Sequence, residues 1–380
     1  MTAMLWIMLG LLTIQVLYHA ALRVGWSRAV ARGAAAGSPG AAAAGGGGLA
    51  GSHRAAGGGP VSVVVAARDE QDRIETLLRA LAGQTFRDFE VVIVDDGSVD
   101  RTAAIVHDAA ARDPRFRLVE NPEPRAPRKK NALMVGIQAA RHDRLAFTDA
   151  DCDVPPGWLA GLARTLDAGS GRTLVVGVGL PTRAAGMLNA LQRWDAALAA
   201  YAAGGAIGWN RPWLAKGSNM AYDRAVFDAV GGFSSGLASL SGDDDLMVQE
   251  VARRGVGTVV FLADAATIVP SPSPDTWRGW VRQKTRHTSA SRHYSRAVQV
   301  HLALYHGSAT LLWLAPVVAG LPGLAVLAAR ILIVAVVVEG PLRRLGSADL
   351  IARAPVLDYL HALYHAVVPA IGFFRGARRW

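Results

Sequence analysis

The chain has 380 residues, with 40 Lys and Arg against 30 Asp and Glu, a net charge of +10, and 51% hydrophobic residues. This balance points to a membrane protein with a basic face for anionic partners such as phosphates or acidic lipid head groups. The one cysteine, Cys152, excludes an internal disulfide and a Cys-based zinc site, and no helix-turn-helix, zinc-finger or RNA-recognition signature supports nucleic-acid binding.

Residues 3–22 hold no acid, Lys or Arg. At ~1.5 Å per residue they span about 30 Å, one hydrocarbon core, and read as an uncleaved anchor. Arg23, Arg28 and Arg32 follow and place that end in the cytoplasm. The Gly/Ala-rich stretch 25–59 has too little side chain to order itself and reads as a flexible linker. From Pro60 the texture changes. VSVVVAARDE predicts a buried strand over 61–66 that ends in a charged loop, 71–83 has helical periodicity, and FEVVIVDDGS predicts a strand over 89–94 that ends in acids and a Gly turn. TAAIVHDAAAR reads as a helix, FRLVEN as a short strand, KKNALMVGIQAA as a helix, and RLAFTDADCD as a strand that again ends in acids. Continuous apolar strands alternating with helices predict an α/β fold, a mostly parallel sheet with helices on both faces. Functional groups are then expected at the carboxyl ends of the strands.

Beyond 170 the expected elements are strands at 173–179, 216–222 and 258–262, and helices at 184–203, 223–230, 243–254 and 275–291. Residues 298–320 and 322–339 are apolar, joined by GLPG, and read as a transmembrane hairpin. Residues 356–374 are apolar but carry Asp358, His361 and His365, and read as interfacial, re-entrant or spanning. The domains expected are an anchor at 1–24, the linker at 25–59, a catalytic domain at 60–297, the hairpin at 298–340 and a basic segment at 341–380.

Several clusters carry chemistry. In TDADCD, Asp149, Asp151 and Asp153 crowd one strand end, which is costly unless a cation or donors neutralise them. Two such carboxylates are hard oxygen ligands suited to Mg²⁺ or Mn²⁺ on a diphosphate, whereas a solvated acidic turn is the plainer reading. VDDGS offers Asp95 and Asp96 at a strand end, as a tight turn or as acceptors for a base or ribose. RAPRKKNAL opens a helix with basic residues that complement a phosphate, or is a solvated loop. SGDDDL sets Asp243, Asp244 and Asp245 before a helix. The dipole accounts for one or two of these acids, and the surplus could supply a general base. In RQKTRH, Gln283 and Arg286 share a helix face near Trp277 and Trp280, either to meet a diphosphate or acceptor or as an interfacial helix.

Taken in order, VSVVVAARDE, VDDGS, KKNAL, TDADC, GDDDL and QKTRH resemble the motifs of membrane-anchored family 2 glycosyltransferases, the branch with cellulose synthase, hyaluronan synthase and ceramide glucosyltransferase. The resemblance covers about 61–290 and the membrane segments. It implies a GT-A fold, a nucleotide-sugar donor, Mn²⁺ or Mg²⁺, and inverting transfer. Carried over by position, Ala66, Arg68 and Glu70 line the nucleotide pocket and Asp95 and Asp96 touch base and ribose. Lys129 lies near the phosphates, and Asp149 and Asp151 hold the metal. KGSNMAY, with Asn219, borders the acceptor side. Asp244 is the base, with Asp243 next; Asp245, Gln283, Arg286 and His287 face the acceptor or diphosphate. The family's Trp after Arg is His287 here, which counts against a processive polysaccharide synthase. With so few membrane helices, transfer of one sugar to a membrane lipid or cell-envelope glycan is expected. The chain is expected to be a multi-pass inner-membrane protein, its catalytic domain on the cytoplasmic face against an anionic lipid surface. A nucleotide-sugar-binding scaffold without activity and a phosphotransferase are the competing readings; a dinucleotide oxidoreductase lacks its G-x-G-x-x-G.

Overall fold

The computed structural model describes residues 2–36, 59–124, 127–169, 171–233, 242 and 244–375. The linker residues 37–58, Asp243 and the last residues of the RGARRW tail lie outside these. The chain divides into two units, residues 28–180 with 207–272, and residues 1–27 with 181–206 and 273–380. The catalytic domain expected over 60–297 is therefore divided, because 181–206 and 273–297 group with the terminal helices.

The first unit is built on a seven-stranded sheet of order β3-β2-β1-β4-β7-β5-β8. Its strands are β1 (Val61–Ala67), β2 (Phe89–Asp95), β3 (Phe116–Glu120), β4 (Arg144–Phe147), β5 (Thr173–Val176), β7 (Met220–Asp223) and β8 (Thr258–Phe261), while β6 (Gly179–Pro181) and β9 (Val269–Ser271) form a separate pair. Pairing is parallel except at β7, which runs antiparallel to β4 and β5. β1 lies between β2 and β4 and has no edge, which explains its unbroken Val-rich run. The helices are α2 (Ile74–Ala82), α3 (Thr102–Arg112), α4 (Arg128–Ala139), α5 (Trp158–Asp167), α7 (Arg224–Ala229) and α8 (Asp245–Arg254). α4 sits close on the sheet at Gly136, where a Cβ would stand 2.4 Å from Val64 and 2.9 Å from Val94.

The second unit is helical: α1 (Thr2–Ala36, to Ser27), α6 (Met187–Gly208), α9 (Trp277–Thr288), α10 (Arg296–Trp313), α11 (Ala315–Arg344) and α12 (Ala354–Arg375). α1 continues to Ala36, so the first twelve residues expected as linker are helix. Their alanines favour it, and past Ser27 the Arg28 guanidinium lies 4.1 Å over the Trp209 ring, while Arg32 donates to Asn210. α11 leaves helical geometry at Gly320 (φ 58°), the first residue of GLPG, where only glycine is at ease. α1 and α11 are long and apolar enough to cross a membrane. The polar residues of α12 turn inward. Asp358 accepts a bidentate pair from Arg330 of α11, and His361 and His365 face Asp195 of α6.

Candidate active site

The carboxyl ends of β1, β2 and β4 bring the predicted acids together. After β1 the chain turns through Asp69, at φ 54°, a left-handed conformation that a short acid tolerates. The loop is knitted to the one after β2. The Ser98 hydroxyl accepts from the Asp69 amide at 3.1 Å, Asp69 accepts from the Val99 amide at 2.9 Å, and Thr102 accepts from the Glu70 amide at 2.8 Å. Gly97 supplies the positive φ of 74° that this turn needs. Arg68 is exposed at its rim and Ala66 is half-buried.

Asp95 is 9% exposed. Its Oδ2 accepts from the Ser98 amide at 3.2 Å, and its Oδ1 is buried with no hydrogen-bond partner among the described residues. A buried carboxylate oxygen without a donor is costly, so this atom suits a ligand N–H or O–H. Asp96 has partners within the protein on both oxygens. It accepts from Asn121 at 2.6 Å and from Arg128 Nε at 3.0 Å, so its two oxygens already hold the start of α4. Arg128 at the start of α4 is thereby held against Asp96.

After β4, the Asp149 Oδ1 accepts from Lys129 Nζ at 2.7 Å. One ligand atom from each of Asp149, Asp151 and Cys152 lies within 4.8 Å of the others. Burial and the charge of Asp149 raise the Asp151 carboxyl above the ordinary range, while Arg73 and Lys129 pull it down. Burial and the neighbouring Asp151 push Glu70 up to about 7, with Asp149 adding to the rise and Arg73 opposing it. Burial, then Asp149 and Asp151, pushes the Cys152 thiol up to about 12. Asp149 and Asp151 offer hard oxygen ligands that fit a divalent cation such as Mg²⁺ or Mn²⁺, and the charges of both reach Glu70. Arg73, 4.0 Å from Asp151, is the residue that the motifs miss. Its signal is its position, an arginine at the N-cap of α2, where the helix dipole disfavours a cation.

The acid run before α8 is a buttress. Asp244 is the N-cap of α8. Its Oδ1 accepts from the Asp245 amide and its Oδ2 from the Gly217 amide, both at 2.8 Å. Asp245 Oδ1 accepts from the Ala215 amide at 2.9 Å. Two acids thus fix the backbone of 215–217, and Asp243 lies outside the described residues. Asn219 departs from the expected acceptor-facing role. It is fully buried, its amide donates to Val178 O at 2.9 Å and Thr267 O at 2.7 Å, and its Oδ1 accepts from Trp158 Nε1 at 2.9 Å. This buried amide ties the chain before β7 to Val178, Thr267 and Trp158. Gln283, Arg286 and His287 lie half-buried on α9 in the second unit, with Arg286 Nη2 3.4 Å from His287 Nε2.

Residues 62–231 match the model of Glycosyl transferase family 2. The chain is 36% identical over 118 residues to the putative glycosyltransferase EpsH of Bacillus subtilis (strain 168), covering 30% of this chain and 32% of that one. It is 36% identical over 112 residues to an undecaprenyl-phosphate 4-deoxy-4-formamido-L-arabinose transferase of Edwardsiella ictaluri (strain 93-146), covering 29% and 34%. With the probable glycosyltransferase YdaM of Bacillus subtilis (strain 168) it shares 28% over 238 residues, covering 60% and 54%. The chain thus spans between about a third and a half of the length of these relatives. Among solved structures, a mannosyltransferase from Pyrobaculum calidifontis, determined in complex with GDP-Man and Mn²⁺, superposes with a TM-score of 0.51 at 20% identity, covering 78% of this chain and 86% of that one. With its GT-A sheet and matching motifs, the chain carries a glycosyl transferase family 2 domain.

Proposed function

We propose that the chain transfers one sugar, with inversion, from a nucleoside-diphosphate sugar to a membrane lipid or envelope glycan. The observation that carries this reading is the charge-coupled set of Glu70, Asp149 and Asp151 at the carboxyl ends of β1 and β4, with Lys129 donating to Asp149. Asp149 and Asp151 would hold a Mn²⁺ or Mg²⁺ ion, which supplies charge neutralisation for the diphosphate. Lys129 then turns from Asp149 toward the phosphates and stabilises the leaving nucleotide as charge develops on it. The free Asp95 oxygen accepts an N–H of the base, and a UDP-sugar suits it through its ring N–H. Asp244 takes the proton of the acceptor hydroxyl as the general base. A single displacement inverts the anomeric carbon.

Membrane attachment through α1 and α11 is part of this reading. Trp6, Leu17, Val317 and Leu321 leave large apolar surface uncovered, from 65% to 85% of each residue, an arrangement suited to lipid. Arg23, Arg28 and Arg32 favour a cytoplasmic position for the catalytic domain. A lipid-phosphate acceptor is the class that the Edwardsiella relative's name carries, and a membrane-bound domain could reach one directly.

The test is nucleotide release by detergent-purified protein from UDP-, GDP- and dTDP-sugars, with Mn²⁺ or Mg²⁺ and a membrane-lipid extract. Asp244→Asn should lose ~10²-fold or more of turnover while keeping donor affinity. Asn also serves as an N-cap, so the helix start survives. Unchanged turnover in this variant would move the base to Asp243. Donor binding without turnover under any lipid would replace the enzyme reading with a scaffold.

A further inference from the structure

The second unit contains a convergent cluster that sugar transfer does not use. Asp195 of α6 and His361 of α12 are both buried, at 6% and 7% exposure. The two Asp195 oxygens face different partners. Its Oδ2 pairs with the Lys284 ammonium of α9, while its Oδ1 lies 3.3 Å from His361 Nε2 and 3.7 Å from His365 Nε2. The two imidazole nitrogens stand 3.1 Å apart. His361 and His365 are four residues apart, so α12 presents both on one face.

As a hydrogen-bonded group this arrangement is poor. A charge-assisted N–H···O bond is about 2.7–2.9 Å long, and both contacts to Asp195 are longer. Two Nε2 atoms facing each other can share only one proton between them, so acceptor lone pairs converge on one point. The triangle has another fit. Nitrogen and oxygen ligands held at about 2.0–2.1 Å by a tetrahedral ion stand roughly 3.3–3.4 Å apart. The observed edges of 3.1, 3.3 and 3.7 Å scatter around that spacing. The surroundings resemble an outer shell. Lys284 fixes the carboxylate from its far oxygen, and the His306 ring stacks on His365 at 3.7 Å and 9°, which sets the plane of the imidazole.

We infer that Asp195, His361 and His365 form a binding site for a borderline divalent cation of the Zn²⁺ class, which staples α12 to α6. Two imidazoles and one carboxylate favour such an ion over Mg²⁺ or Mn²⁺, so the site differs in chemistry from the carboxylate pair of Asp149 and Asp151.

The experiment uses the detergent-purified full-length chain. Metal analysis after desalting should find about one Zn²⁺ per chain. Replacement with Co²⁺ should give the visible absorption of a tetrahedral site, and added Zn²⁺ should raise the unfolding temperature. His361→Gln and His365→Gln should lose the bound Zn²⁺ and its stabilisation, while Asp151→Asn should keep both. Wild-type protein that retains no Zn²⁺ and shows no Co²⁺ spectrum overturns the inference, and so does Zn²⁺ retained equally by both histidine variants. If the variants do not fold, X-ray absorption on the wild-type protein decides. Imidazole scattering around the zinc supports the site, and its absence refutes it.

Discussion

Lys129 places its ammonium 2.7 Å from a carboxylate oxygen of Asp149, so the cation expected at the phosphates and the acid expected at the metal are paired with each other. The pair is half-exposed, and such pairs contribute about 1 kcal/mol or less. It is therefore cheap to exchange for a metal and a diphosphate. Lys129→Met should have opposite effects on two ligands. Bare Mn²⁺ should bind roughly 3–5-fold more tightly, because a competing cation is gone, whereas UDP with Mn²⁺ should bind more weakly, because a phosphate partner is gone. Calorimetric titrations with Mn²⁺ alone and with UDP present separate the two. Parallel changes in both would mean that Lys129 serves only to hold Asp149.

Asp95 offers a sharper probe of the base pocket. Its Oδ2 accepts from the Ser98 amide and its Oδ1 is buried without a donor. Asp95→Asn keeps an oxygen for the turn and sets an NH₂ group where the acceptor was. A donor facing the ring N–H of uracil should weaken UDP about 10-fold or more, the scale of a hydrogen bond to a charged group at ~1.5–3 kcal/mol. Pyrophosphate affinity should not change. Equal loss for UDP and pyrophosphate would indicate a disturbed loop rather than a lost base contact.

Acid sensitivity of the first unit should trace to Glu90. This buried residue of β2 accepts from the Arg141 amide at 2.5 Å, from the Ser62 hydroxyl at 2.7 Å and from Arg117 at 2.9 Å. Burial raises its pKa, but these donors together bring it below the ordinary value of 4.5. An acid whose pKa falls on folding stabilises the fold above the ordinary value and loses that contribution as the pH drops through the folded value. Glu90→Gln should cost about 2 kcal/mol near neutral pH and should flatten the decline in stability below pH 4.5. Unfolding by urea between pH 3 and 7 reads both, and a variant that keeps the wild-type acid slope would assign that slope to another carboxylate.

β1, β2 and β4 were legible because each is a largely apolar run that leads into a charged loop, and they begin at the residues that the pattern predicts; the short β9 (Val269–Ser271) has no such run and was not read. The acids at their ends were legible because like charges at such density need a reason. Asn219 and Asp96 have partners within the protein that the sequence does not show, for one physical cause. A polar residue in a motif looks the same in sequence whether its partners are a ligand or the protein backbone, and only the fold shows that Val178, Thr267 and Trp158 already satisfy Asn219. Arg330 was unreadable in the same way. Its partner Asp358 is 28 positions later on another helix, so the cost of a charge in an apolar segment had no visible compensation.

The Arg330–Asp358 pair makes a prediction that separates stability from specificity. Both residues are almost wholly buried, at 2% and 5% exposure; the guanidinium meets both carboxylate oxygens and stands 6.0 Å from the Trp313 ring centroid. Removing one partner leaves an uncompensated buried charge, so Arg330→Met should cost about 3–5 kcal/mol. Replacing both partners by apolar groups of similar volume is often neutral or better, so Arg330→Met with Asp358→Leu should recover most of the loss. Thermal unfolding in detergent of the two single variants and the double variant measures the coupling directly. Full recovery in the double variant would show that the pair fixes which faces of α11 and α12 meet, while adding little net stability. A double variant as unstable as Arg330→Met alone would show instead that the charges themselves hold these helices together.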